Sequence, residues 1–183
     1  DAARFVLNRR PDTQFLIVGD GPLRRQIEAD VLRRGLTGAV KILGERRDAL
    51  ALIRLLDVLV LTSRSEGFPN VLLEAAAGGT AVVTTAAGGA AEVVEDGRTG
   101  FVVPCRNSWA VGERVLQLLM KPDMRSRFAE AAQRRAATVF AARQAAEAME
   151  RCYRDGLDRE RRLPIASRAV RTCLISPHVS GVL

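Results

Sequence analysis

Two glutamates, Glu66 and Glu74, lie on either side of a segment that the sequence predicts to be the start of a helix. The stretch PNVLLEAAAGG (69–79) has proline at its first position and glycine at its end, which is typical of a helix. The unpaired N–H groups and the positive dipole end of a helix start suit a phosphate. The acids would then bind the sugars on either side of the phosphate, with Glu74 accepting hydrogen bonds from ribose hydroxyls.

A simpler interpretation of the same residues stays open at this point. Glu66 could be an acid that caps the helix, and Glu74, about 1.5 turns along the helix, could be an ordinary surface residue. Gly67 favours the binding hypothesis, because a residue without a side chain lets the backbone come close to a ligand.

The elements around this segment alternate between short apolar runs and longer amphipathic ones. Near-continuous apolar strands are typical of a parallel sheet that is covered on both faces. The predicted strands are QFLIVGD (14–20), AVKILG (39–44), DVLVLTS (57–63), TAVVTT (80–85) and TGFVVP (99–104). The pattern predicts an α/β fold with a doubly wound parallel sheet, followed by a helical C-terminal section after Pro104.

The predicted helices lie between these strands. Leu23, Ile27 and Val31 share one helical face, and AAEVVEDG (90–97) predicts a short helix. Ligands of such sheets bind beyond the carboxyl ends of the strands. The loops expected to form a site are therefore 19–22, 44–47, 62–69 and 85–90.

Composition excludes several classes of function. The three cysteines are widely spaced, no C-x-x-C motif occurs and the chain has one histidine, so we predict no metal, no disulfide framework and a reducing, cytoplasmic compartment. No phosphate-binding P-loop motif occurs, and Gly19-Asp20-Gly21 is followed by Arg24 where a dinucleotide motif needs glycine. Aromatic residues are only 4%, which argues against nucleic acid as a partner. We expect no cofactor.

The basic residues are concentrated near the C-terminus. The net charge is +7, and residues 151–171 carry seven arginines against three acids. This segment is either a solvated end or a contact with an anionic membrane surface, which would make the protein peripheral on the inner face of a membrane. We predict one domain over residues 1–157 and a poorly ordered tail over residues 158–183.

The order of motifs along the chain resembles one known family. SRSEGFPNVLLEA (63–75), followed by GGTAVV (78–83), is similar to the segment with two glutamates eight positions apart in retaining glycosyltransferases of the GT-B fold, family 4. Further segments occur in that family's order and spacing, and the likeness covers roughly residues 3–157. They are FLIVGDGPLR (15–24), VKILGERRD (40–48), GGAAEVVEDGRTGFVVP (88–104) and VFAARQAAEAMERCYRDGL (139–157).

The resemblance implies a role for each matched residue. The chain would be the Rossmann-like, donor-binding half of a two-domain transferase. Glu74 would hold the ribose of a nucleotide-diphosphate sugar, and Glu66, the catalytic residue, would contact the hydroxyls of the transferred sugar. Other positions would bind the donor: Gly67, Phe68, Asn70 and Val71 at the diphosphate and sugar, Gly44, Glu45 and Arg46 at the base, and Gly19 and Gly21 near the cleft.

Two parts of the family's pattern are not in this sequence. The acceptor-binding N-terminal domain and the basic residues that neutralise the diphosphate would lie upstream of Asp1, so we expect a chain truncated at its N-terminus. An alternative of another class is a non-catalytic nucleotide-sugar-binding fragment. A related GT-B epimerase would need histidine in the cleft, and the single histidine, His178, lies far from the motif.

Overall fold

The computed structural model describes residues 1–140, which fold into alternating strands and helices. The strands are β1 (Phe15–Val18), β2 (Val40–Gly44), β3 (Val58–Leu61), β4 (Ala81–Thr85) and β5 (Phe101–Val103). The helices are α1 (Ala2–Leu7), α2 (Arg24–Arg33), α3 (Ala49–Leu55), α4 (Asn70–Gly78), α5 (Ala90–Val93), α6 (Ser108–Met120) and α7 (Pro122–Val139). The predicted α/β class and the helical section after Pro104 are confirmed.

All strand pairs are parallel, but they form two sheets. β1 pairs with β2, with Phe15 opposite Val40. β3, β4 and β5 form the second sheet in that order, with Val58 opposite Ala81 and Val83 opposite Phe101. The irregular point in the first pair lies between Ile17 and Val18.

The apolar core lies on both faces of β4, all five residues of which are buried. Ala81 and Val83 face one cluster, which is completed by side chains of α1, α6 and α7 such as Val6, Leu118 and Phe128. Val82 faces the other cluster, which is built from α3, α4 and α5. This is the doubly wound arrangement that alternating strands and helices predict.

One predicted helix is shorter than expected, and another forms without burying any of its residues. The helix expected over residues 90–97 ends at Val93, because the Thr99 hydroxyl accepts the Glu95 N–H and draws the chain into a turn. The helix carrying Ile27 and Val31 forms, but none of its residues is buried. No residue of α2 belongs to either of the two buried apolar clusters.

The remaining predictions of chain organisation lie partly outside the described residues. The end of the 1–157 domain, the tail over 158–183 and the basic segment over 151–171 fall beyond residue 140. Among residues 1–140, no helix combines the length and the apolarity that a bilayer crossing requires.

Candidate functional site

The loop between β3 and α4 holds Glu66 in a defined position. The Ser63 hydroxyl donates a hydrogen bond to the Glu66 carboxylate with an oxygen–oxygen distance of 2.5 Å. The Ser63 carbonyl in turn accepts a hydrogen bond of 2.7 Å from the buried Thr85 hydroxyl at the end of β4. Glu66 is half-buried. Its orientation is therefore set by a chain of hydrogen bonds that begins in the central strand.

The loop after β4 packs against the backbone of the same segment. The Gly89 N–H donates to the Gly67 carbonyl at 2.9 Å. A Cβ placed on Gly88 would lie 1.7 Å from the Glu66 carbonyl oxygen, and one on Gly89 would lie 2.7 Å from the Gly67 oxygen. Gly88 also has a φ of +52°, which residues with a side chain rarely adopt. Because neither glycine has a side chain, the backbones of the two loops are in direct contact.

Gly67 is not in contact with the rest of the protein in the way that Gly88 and Gly89 are. Gly67 has no left-handed φ, and a Cβ there would meet no atom within 4 Å. Packing within the protein therefore does not require glycine at position 67. Gly88 and Gly89 are the glycines that the loop contact needs. Sequence reasoning placed them, with Ser63 and Thr85, in loops expected to form a site but gave none of the four a role. The available signal was the Gly-Gly pair three residues after the end of a buried strand.

α4 begins one residue later than predicted, at Asn70, and Pro69 is its N-cap without a side-chain cap. The first amides of a helix have no intrahelical partner, and at α4 they include those of the predicted residues Asn70 and Val71. Asn70 and Phe68 are exposed beside them. The helix start after the Glu66 loop thus offers N–H donors to solvent, as the sequence predicts.

Glu74 lies four residues into α4 and is exposed. Four residues correspond to about 6 Å along the helix axis. Within residues 1–140, no hydrogen bond or ion pair engages its carboxylate. The structure thus leaves this acid available on the helix whose start the loop presents.

A second group of predicted residues lies at the ends of β1 and β2. The Gly19 N–H donates to the Gly44 carbonyl at 2.8 Å, which joins the two loops. Arg24 lies over Gly44, where a Cβ would come within 2.7 Å of its guanidinium nitrogen. Arg24 also pairs with Asp20 at 2.8 Å and with Glu28 at 2.9 Å.

Charges in this second group are paired. The Gly21 N–H and the Arg24 guanidinium hold the pKa of Asp20 below its ordinary value. Arg46 donates two hydrogen bonds to Asp48, at 2.8 and 2.7 Å; these bonds raise the pKa of Arg46 and lower that of Asp48. Glu45 is exposed beside them.

The structure places the predicted site residues at or after the ends of strands or in the first turns of α4. It brings Glu66 and Gly67 against the β4–α5 loop, and Gly19 against Gly44. No hydrogen bond or ion pair between residues 1 and 140 joins these two groups to each other. Over the same part of the chain, no three histidine, cysteine or acidic side chains are grouped to hold a metal.

Parallel strands with functional loops at their carboxyl ends define a Rossmann-like, ligand-binding α/β domain. Residues 1–135 match the family described as glycosyl transferases group 1. The chain belongs to this family, whose solved relatives have the GT-B architecture.

The similar proteins include transferases that are named for different sugars. An alpha-D-kanosaminyltransferase of Streptomyces kanamyceticus is 33% identical over 157 residues, which cover 85% of this chain and 41% of that enzyme. A crystal structure of HepE from Anabaena in complex with UDP-glucose is 27% identical with a TM-score of 0.69, and the match covers 80% of this chain and 44% of that one. The chain therefore spans less than half the length of these relatives.

A third relative matches along about three quarters of both chains. The structure of the C-terminal domain of a glycosyl transferase group 1 family protein from Francisella tularensis is 26% identical, with a TM-score of 0.71. The match covers 77% of this chain and 76% of that domain. The chain is thus similar in extent to one domain of such a protein.

Proposed function

We propose that the chain is the donor-binding half of a retaining glycosyltransferase of family 4. The complete enzyme would move a sugar from a nucleotide-diphosphate sugar to an acceptor hydroxyl. The observation that carries this proposal is the position of Glu66. Ser63 and the Gly88–Gly89 loop hold it at the carboxyl end of β3, directly before the free amides of α4.

The chemistry follows from this arrangement. Transfer breaks the bond between the sugar's anomeric carbon and the diphosphate, and negative charge grows on the diphosphate as it leaves. Fixed N–H groups at the start of α4, near Asn70 and Val71, would stabilise that charge. Glu66 would accept hydrogen bonds from hydroxyls of the transferred sugar, and Glu74, about 6 Å further along the helix axis, from those of the ribose.

The second group of loops would form the nucleoside side of the cleft. Gly44, Glu45 and Arg46 would lie against the base, and Gly19 and Gly21 leave backbone without side chains beside them. The ion pairs that Arg24 and Arg46 form with acids would stay in place when the nucleoside binds. The proposal names neither the base nor the donor sugar. The Anabaena relative was solved with UDP-glucose.

Orientation of the acceptor hydroxyl would come from an acceptor-binding domain that these 183 residues do not contain. Positioning the two reactants can supply a large part of a barrier reduction, so we expect the chain alone to bind donor without turning it over. No metal or cofactor enters this account. The second candidate function is a non-catalytic nucleotide-sugar-binding fragment, which would use the same donor-binding loops.

We further propose a cytoplasmic place for the protein, peripheral on the inner face of a membrane, in bacterial envelope polysaccharide or glycolipid synthesis. The net charge of +7 supports attraction to an anionic surface. Binding to vesicles with and without anionic lipid tests this part separately from donor binding.

Calorimetry with UDP, GDP and ADP tests the donor site itself. We expect one nucleotide to bind wild type, and Glu74→Ala to weaken it by about 10- to 100-fold, since a hydrogen bond to a charged group contributes about 1.5–3 kcal/mol. Glu130→Ala is the matched control, because Glu130 is also an exposed helical glutamate but lies on α7, where it pairs with Arg134. Equal affinity of wild type and Glu74→Ala would remove Glu74 from the ribose role.

A second measurement separates the two candidate functions. The chain is mixed with an upstream acceptor-binding domain from the same reading frame, and donor consumption is followed with an acceptor present. Turnover that requires both parts supports the transferase, and binding without turnover in the complete protein supports the binding module.

A further inference from the structure

An open cavity of about 300 Å³ lies between the C-terminal half of α7 and the turn over residues 95–99 that leads into β5. None of its lining residues belongs to the loops proposed to bind the donor. Its polar lining consists of Arg98, Arg134, Arg135, Glu95, Thr99 and Thr138. Three guanidinium groups against one carboxylate give this lining a net charge of +2. The cavity is therefore a concave surface that attracts anions.

Arg135 is held in place at the inner wall of the cavity. Its guanidinium donates to the carbonyls of Glu92 and Val93 at 2.9 and 3.4 Å and to the Glu95 carboxylate at 2.5 Å. Only 24% of its side chain is exposed. Arg135 thus joins α7 to the end of α5, and the charge of its guanidinium is fixed beside the cavity.

The other two arginines have unused hydrogen-bond donors. The side chain of Arg98 is 78% exposed and donates once, to Glu95 at 3.1 Å. Arg134 is 71% exposed, and the nearest acid, Glu130, is 3.7 Å away, which is longer than a hydrogen bond. A guanidinium offers more N–H groups than these contacts use. Within residues 1–140, most N–H groups of Arg98 and Arg134 therefore have no protein acceptor.

The two threonines hold the walls rather than offer donors to a ligand. The Thr99 hydroxyl accepts the Glu95 N–H at 2.8 Å, which closes the turn before β5. The Thr138 hydroxyl donates to the Arg134 carbonyl at 2.9 Å. The turn and the helix are thus fixed by their own hydrogen bonds, and contacts to a ligand are left to the two exposed guanidinium groups.

A simpler explanation covers only part of this arrangement. Basic side chains near the C-terminal end of a helix stabilise its dipole, which would account for Arg134 and Arg135. It does not account for Arg98, which belongs to the turn before β5 and not to α7. The dipole also places only about half of a negative elementary charge at the helix end. The net charge of the lining is larger, so the cavity still favours an anion.

We infer that this cavity binds a phosphate group. Arg98 from the turn and Arg134 from α7 donate pairs of N–H bonds to its oxygens, because the planar guanidinium matches the spacing of phosphate oxygens. Arg135 stays on Glu95 and adds its charge. Small-molecule sites occupy about 300–1,000 Å³, so this cavity suits a single phosphate, free or as the headgroup of a lipid, rather than a nucleotide.

An NMR titration of the full 183-residue chain with inorganic phosphate tests the inference. We expect the amides of residues 95–99 and 131–139 to shift together along one saturable curve. These shifts should be independent of any change at residues 66–71. The inference does not rest on the proposed transferase function, and failure of the donor site would leave this result unchanged.

Variants locate the effect. Arg98→Gln combined with Arg134→Gln should weaken phosphate binding by about tenfold or more, since each removes hydrogen bonds to a charged group. Arg127→Gln is the matched control, because Arg127 is an exposed arginine of α7 that does not line the cavity. Arg135 is left unchanged because it holds the end of α5. Far-UV circular dichroism checks that each variant is folded.

Vesicle sedimentation distinguishes the two sources of phosphate. The vesicles contain phosphatidylcholine with or without phosphatidic acid, whose headgroup is a phosphate monoester. Binding to phosphatidic acid that the double variant loses and Arg127→Gln keeps would assign the cavity to a lipid headgroup. Saturable binding of inorganic phosphate without this difference between the variants on vesicles would assign it to a free phosphate.

Two outcomes would overturn the inference. One is equal affinity of wild type and the double variant for inorganic phosphate. The other is a set of shifts that is scattered over basic residues and does not saturate, which would mean non-specific attraction by the positive charge of the chain.

Discussion

Replacement of Gly88 by alanine should lower the free energy of unfolding for two reasons, a strained backbone and a steric clash. Matched variants can separate these two costs. Gly88 has a φ of +52°, and its Cβ would lie 1.7 Å from the Glu66 carbonyl oxygen. The left-handed backbone costs a residue with a side chain about 1–2 kcal/mol. The clash adds about 1–3 kcal/mol, because an atom forced into packed structure must displace its neighbours. We expect Gly88→Ala to lower the free energy of unfolding by about 2–5 kcal/mol.

Two further glycines serve as matched controls. Gly97 has a φ of +73° with nothing within 4 Å of its Cβ, so Gly97→Ala carries the backbone cost alone. Gly67 has neither a positive φ nor a near neighbour, so Gly67→Ala should change stability by less than about 0.5 kcal/mol. Urea denaturation of the four proteins, followed by circular dichroism, gives the three differences.

The order of these three differences is the test. If Gly88→Ala costs no more than Gly97→Ala, the backbone contact between the two loops does not exist as described. If Gly88→Ala costs more, its nucleotide-sugar affinity should also fall, since the displaced atom is the carbonyl of Glu66. Gly97→Ala, in a turn before β5, should leave that affinity unchanged.

Two other perturbations test the site. Ser63→Ala removes the donor to the Glu66 carboxylate; because Glu66 would hold the sugar, binding of the nucleotide sugar should weaken by about tenfold while binding of the free nucleotide diphosphate is unchanged. Calorimetry with both ligands decides this, and equal weakening of both would contradict it. Asp20 has a folded-state pKa below its ordinary value of 3.8, so its stabilising contribution is present above pH 3.8 and is lost as the pH falls through the folded-state pKa. The stability difference between wild type and Asp20→Asn should therefore shrink across that window in denaturation experiments, and a difference that grows as the pH falls would refute the assigned direction.

The sequence by itself determined the class of fold, and it selected the loops in which we expect the site. Short, nearly continuous apolar runs bounded by glycine and proline predict the strands whatever their neighbours are, because residue type and turn residues act locally. Pro69 and the glycines after Ala77 mark both ends of α4 for the same reason. Since ligands bind where parallel strands end, the loops at Gly19, Gly44 and Glu66 could be selected from the chain alone.

Only the tertiary structure decided how these loops are held and how the sheet is divided. The hydrogen bonds from Thr85 to Ser63 and the contact of Gly88 with Glu66 join residues about twenty positions apart, and no local pattern encodes such a meeting. The apolar faces of β1 and α2 predict burial, yet burial requires a neighbour to supply the covering surface. The residue types of a strand show that it can pair and be buried, whereas the tertiary structure determines whether a neighbouring element is there to do so.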